Sequence, residues 1–153
     1  MRLLALLCGA TCLFGSPATA QQSASDFVGT WELMSIERRS EAGDWVPATY
    51  PGSAQAVGIL MYDDKGNMAV QLTTSPREVR LPDSMGFVNG YEAYYGRYEV
   101  DAGAGTVTHH RRNHLNQDLC CPSVVRYFQF SGDVLTLTIA PRQQGRLKWA
   151  RVR

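Results

Sequence analysis

Short runs in which apolar and polar residues alternate follow one another along most of the chain, each ended by turn-forming residues. A period of two places successive side chains on opposite faces of an extended strand. Phe128 with Phe130, Leu135 with Leu137 and Ile139, and Leu147 with Trp149 each share one face, while Thr136, Thr138 and Lys148 take the other. Strands are predicted over residues 30–38, 57–62, 67–73, 94–101, 106–114, 123–131, 134–140 and 147–152. Asp63-Asp64-Lys65-Gly66, Ala102-Gly103-Ala104-Gly105 and Gly132-Asp133 stand between consecutive runs and have the composition of hairpin turns. Residues 74–91 hold Pro76, Pro82, Gly86 and Gly90 and show no period, so one long loop or short helix is expected there, between strands 3 and 4. Eight antiparallel strands in meander order form a sandwich or a barrel. Closure removes the unpaired edges and leaves room for one small ligand inside. The expected fold is all-β, an eight-stranded antiparallel up-and-down barrel.

The start of the chain reads differently. Arg2 precedes an apolar run from Leu3 to Phe14, and Ala18-Thr19-Ala20 has the small-x-small form of a cleavage site. Residues 1–20 are expected to be a secretory signal and residues 21–153 one barrel domain. The run is too short for a bilayer span, which needs about 20 apolar residues. Gly9 occupies the place where a lipid-anchored Cys12 would want a large aliphatic residue. The mature protein is thus expected to be exported, periplasmic or secreted, with no integral membrane span. Cleavage of the 153-residue chain after Ala20 leaves 133 residues, enough for one real core.

Charge and cysteines narrow the picture. Loss of Arg2 takes Lys+Arg from 15 to 14 against 14 Asp+Glu, and no basic stripe is visible, so nucleic acid is not an expected partner. Cys8 and Cys12 leave with the signal, so only the adjacent Cys120 and Cys121 remain. They close on each other, stay as thiols, or bridge to another chain; a disulfide framework is excluded.

Gly29-Thr30-Trp31 resembles the Gly-x-Trp opening of the lipocalins, and Trp149-Ala150-Arg151 supplies the matching arginine near the end of the chain. The resemblance implies that Trp31 plugs one end of the barrel and that Arg151 packs over it. Four more stretches are similar to the bacterial and fungal lipocalin-like domain family. They are Gly58 to Asp63 with Gly66-Asn67-Met68, Tyr94 to Val100, Gly105 to His110, and Val125 to Phe128 running into Ser131 to Leu137. Arg111-Arg112-Asn113-His114 and Leu119-Cys120-Cys121-Pro122 replace the uncharged loop usual in that family. The resemblance implies a fold more than an activity.

Several residues could carry chemistry. Arg126 shares parity with Val124, Phe128 and Phe130, so an apolar inner face would carry a guanidinium, and a buried guanidinium needs an anionic or carbonyl partner. His109 and His110 are neighbours in a strand and face opposite ways; parity favours His109 inside. Rings that diverge do not share a metal, and His114 stands at the far end of the run, so no metal site and no cofactor are expected. Tyr94 and Tyr98 share a face, with Tyr62 and Tyr127 as further candidates for an aromatic belt, and Gln71 could face either way. The expected partner is a small hydrophobic or amphiphilic molecule, held by Arg126, His109 or His110, Tyr94, Tyr98 and Phe128. The alternatives are a cofactor-independent isomerase or cyclase using a cavity His and Arg, and a structural envelope protein with a filled barrel. A catalytic histidine requires His109 or His110 near Arg126 or a tyrosine inside a cavity.

Overall fold

The computed structural model describes residues 22–48, 56–74 and 91–153. Residues 1–20, read as a signal, and nearly all of the loop expected over 74–91 lie outside the described residues. A short helix, α1 (Ala24–Phe27), leads into nine strands. These are β1 (Gly29–Arg39), β2 (Trp45–Pro47), β3 (Ala56–Tyr62), β4 (Asn67–Thr74), β5 (Tyr91–Asp101), β6 (Thr106–His114), β7 (Ser123–Ser131), β8 (Val134–Ile139) and β9 (Gly145–Arg151). From β3 to β9 each strand pairs antiparallel with the next, and β1 joins both β3 and β9. Eight strands therefore close into the expected up-and-down barrel.

Two elements go beyond the sequence reading. The first is β2, which extends the sheet beside the far end of β1 through Arg39↔Trp45 and Glu37↔Pro47. Three residues are too few to show a period. Trp45 is held between two guanidiniums, with Arg39 Cζ 4.1 Å and Arg146 Cζ 4.2 Å from its ring. The second is α1. Ser23 caps it, donating its backbone N–H to Asp26 Oδ2 at 2.7 Å.

Alternation carries the core. Met68, Val70 and Leu72 of β4 point inward, as do Leu135 and Leu137 of β8, Leu60 of β3 and Trp149 of β9. Two irregularities break the period of two. On β1 the register with β9 slips between Leu33 and Ser35, leaving Met34 as an extra, 57% exposed residue. On β6 the register with β5 passes from Arg111 to Asn113, leaving Arg112 extra. Each is a β-bulge, which reverses the facing of every residue beyond it. Gly96 makes the second possible, because a Cβ there would lie 2.0 Å from His110 O.

The end beneath α1 is sealed. Phe27 and Trp31 are fully buried, and Phe27 meets Tyr62, Phe128 and Phe130 edge-on at 5.4, 5.0 and 5.1 Å. Trp31 Nε1 donates to Phe27 O at 2.9 Å. Arg151 lies over the Trp31 ring at 4.1 Å and donates to Val28 O at 2.7 Å and to Asp26 O at 2.6 Å. Gly29 fits beneath it because a Cβ would come within 2.9 Å of the guanidinium. The Gly29, Trp31 and Arg151 positions thus form one unit, as the resemblance implies. Replacing Arg151 by Lys keeps the charge but loses the planar stack and the fork to two carbonyls. It is expected to lower the unfolding free energy by about 1–3 kcal/mol. A urea midpoint equal to the parent's would show that the lid contributes nothing.

Candidate functional site: a polar cluster inside the barrel

Away from the sealed end the barrel encloses a cavity of about 260 Å³. Its apolar wall includes Ile36, Leu72, Leu137, Ile139 and Leu147, with Ala48, the residue that follows β2. Ile36 reaches the inside because of the Met34 bulge: by strict parity with Trp31 and Leu33, Ser35 would be there instead. Glu92, Tyr94, His109, Arg126 and Trp149 interrupt the apolar wall.

His109 is 1% exposed and sits between two tyrosines. Its Nε2 is 2.7 Å from Tyr62 Oη, and its Nδ1 is 3.1 Å from Tyr94 Oη. Burial, reinforced by the charges of Arg126 and Arg111, depresses the His109 pKa to about 3. Burial likewise raises Tyr94 to about 12 and Tyr62 well above 10. All three rings are neutral across the physiological range.

A neutral imidazole has one N–H and one acceptor, so the chain has two possible directions. Were His109 to donate from Nε2, the Tyr62 hydroxyl hydrogen would be stranded among the rings of Phe27 and Tyr98, at 5.4 and 4.6 Å. A stranded buried donor costs about 1–3 kcal/mol. The accounting therefore assigns Tyr62 O–H as donor to Nε2, and Nδ1–H as donor to Tyr94. Tyr94 keeps its own O–H for the cavity it lines.

Arg126 is on the inner wall, where parity placed it. Among the described residues it makes one long hydrogen bond, 3.4 Å, to the carbonyl of its neighbour Val125, and its guanidinium also leans on the Tyr94 hydroxyl. Among the described residues no carboxylate lies within 4.0 Å of it. Its charge nevertheless reaches the cluster, opposing the upward shifts of Tyr62, Tyr94 and Glu92. Trp149 also has an indole N–H with no acceptor. The cavity wall thus carries one buried donor without an acceptor among the described residues, the Trp149 indole, together with the Tyr94 hydroxyl and the half-buried Arg126 guanidinium, which face each other.

The remaining candidates lie elsewhere. Tyr98 belongs to the sealed end, donating to Asp63 O at 2.9 Å, and Phe128 packs there against Phe27. His110 stands on the outer wall, 2.8 Å from Ser123 Oγ and 3.2 Å from Glu99 Oε2. That row has the composition of a nucleophilic triad, but it lies on the outer sheet face and lines none of the cavities described among these residues. Tyr127 has the parity opposite to Arg126, and Gln71 accepts from Tyr91 Oη at 2.8 Å on the outer face. Cys120 and Cys121 are bonded to each other in the β6–β7 loop, and Cys121 Sγ leans on Arg112 O at 3.3 Å.

Two residues of the cluster are absent from the sequence-based candidates. Glu92 was findable, since it precedes Tyr94 by two and shares its face. His114 was not: counting by twos from His109 sends it outward, and the Arg112 bulge turns it in. It is 4% exposed and stacks on Tyr94 at 5.6 Å.

The depressed pKa of His109 makes a pH prediction. Its folded value, about 3, lies below the ordinary 6.5, so between them the unfolded chain binds the extra proton. The contribution is whole above pH 6.5 and is lost as the pH falls towards 3. It amounts to a loss on the order of 3 kcal/mol between about pH 7 and pH 4. Urea unfolding of the parent and of His109→Gln at both pH values checks this, because the variant lacks that part of the slope. Parallel slopes would contradict a buried, neutral His109.

No curated protein matches this chain. A family described as the lipocalin-like domain matches residues 28–152, from just before Gly29 to just after Arg151. The match spans all nine strands, and the closed antiparallel barrel with Arg151 over Trp31 accords with it. The chain belongs to the lipocalin-like domain family.

Proposed function

We propose that this is an exported barrel protein that holds one small amphiphilic molecule, its carbonyl or acidic end turned towards Arg126. The observation that carries the reading is a free cavity with a largely apolar wall on which the Arg126 guanidinium, the Tyr94 hydroxyl and the unpartnered Trp149 indole N–H gather. Small-molecule sites combine an apolar wall with a few such polar groups, and a ligand acceptor is a ready way to satisfy the indole. A barrel filled only by its own side chains would have neither the 260 Å³ of free space nor a guanidinium facing it. That volume lies just below the range of about 300–1,000 Å³ common for small-molecule sites. It favours a single ring or a short chain over a long lipid. Export rests on the signal-like character of residues 1–20.

Calorimetry with octanoate, methyl hexyl ketone and octane tests the reading. The two oxygen-bearing probes should bind, octane should bind at least about tenfold more weakly, and Arg126→Gln should remove most of that preference. A charged hydrogen bond of about 1.5–3 kcal/mol corresponds to roughly a ten- to hundredfold change. Equal affinity for octane and octanoate would sink the role of Arg126. Failure of all three to bind would count against the cavity as a ligand site.

A further inference from the structure

A site built only to hold an anion has no use for a carboxylate on its own wall, yet Glu92 is there. Glu92 and Tyr94 alternate on the inner face of β5, about 7 Å apart along the strand. Glu92 is not the salt-bridge partner of Arg126, for no contact within 4.0 Å joins them. Its nearest basic group is His114, with Nε2 3.6 Å from Glu92 Oε1. The Asn116 backbone N–H donates to His114 Nδ1 at 3.0 Å, which leaves the ring proton on Nε2, facing the carboxylate. Burial and the charge of Arg111 lower the His114 pKa, so this ring stands beside Glu92 without neutralising it, its Nε2 just beyond hydrogen-bond distance. Across the same cavity stand the Tyr94 hydroxyl, backed by His109 and Tyr62, and the Arg126 guanidinium. One positive and one negative charge cancel, which suits a neutral ligand better than an anion.

We propose that the cavity enolises a small ketone, with Glu92 as the base and Tyr94 and Arg126 as donors to the carbonyl oxygen. The step needs no other reactant. Glu92 takes a proton from the carbon beside the carbonyl, and the broken C–H bond's electron pair becomes a C=C bond. The carbonyl π pair moves onto oxygen, where the two donors receive it. The protonated Glu92, whose side chain is one-fifth exposed, trades its proton with solvent and returns one to the same carbon, or to the γ-carbon of an unsaturated ketone, as the oxygen's pair re-forms the carbonyl; this shifts the double bond in the second case and restores the carboxylate in both. Burial raises the Glu92 carboxyl above its ordinary pKa, with Arg126 and Arg111 opposing, so its carboxylate is a stronger base than one on the surface. Growing charge on the oxygen draws on the whole Tyr62–His109–Tyr94 chain, since linked hydrogen bonds strengthen one another.

This inference rests on the cavity being a ligand site, and the test separates the two. Acetophenone and methyl hexyl ketone are incubated with the protein in D2O, and proton NMR follows loss of the hydrogens beside the carbonyl. Calorimetry measures binding in parallel. The parent should exchange these hydrogens faster than buffer does. The rate should rise with pH through the Glu92 titration. Glu92→Gln should slow exchange by about a hundredfold while binding the ketones within about threefold of the parent. Tyr94→Phe should slow exchange by about tenfold or more and guards against a folding defect in the first variant. Binding without exchange above buffer would overturn the enolisation and leave the carrier reading standing. Exchange unchanged in Glu92→Gln would overturn the role of Glu92. Absence of binding would bring down both readings.

Discussion

The pairing of β1 with β9 turns a meander of strands into a ring. Once the ring is closed, every side chain on it faces either solvent or one shared interior. The interior is divided along its axis. At one end Phe27, Trp31 and Arg151 form a lid tied to the backbone of α1 and of Val28 just before β1, so that end is filled by buried rings. The free space lies beyond it, between Leu60 and the rim, and that is where the polar groups collect.

Those groups hold together through one requirement, that a buried polar atom must find a partner. His109 satisfies it twice. The aromatic cage around Tyr62 then determines which way the hydroxyls run, because the reverse direction would strand the Tyr62 hydrogen among rings, whereas this one turns the Tyr94 hydrogen to the cavity. The same requirement is unmet among the described residues at the Trp149 indole and at His114 Nε2, which stands 3.6 Å from Glu92 Oε1.

Much of this was legible in the sequence because parity survives wherever strands are regular. Arg126 among Val124, Phe128 and Phe130, and His109 in place of His110, follow from counting by twos, and the Gly29–Trp31 and Trp149–Arg151 pairs announce the sealed end. What counting could not supply was depth. Tyr98 and Phe128 do face inward, but they lie under the lid and not in the cavity, since position along the barrel axis depends on stagger between strands. Counting also failed past each bulge. Ile36 and His114 both lie two residues beyond an extra one, and nothing local to Met34 or Arg112 advertises the slip. β2 escaped because its anchor, Trp45 between Arg39 and Arg146, is a contact across sequence distance and not a pattern.

The bulge at Arg112 bends a strand without changing what the interior receives. Gly96 lets the facing backbone come close, for a Cβ there would meet His110 O at 2.0 Å. Deleting Arg112 would flatten the pairing, yet Asn113 would still stand opposite Tyr95 and His114 opposite Tyr94. The ring beside Glu92 is thus held on the inner face by its strand partner, and the extra residue goes into curvature at this end of β6.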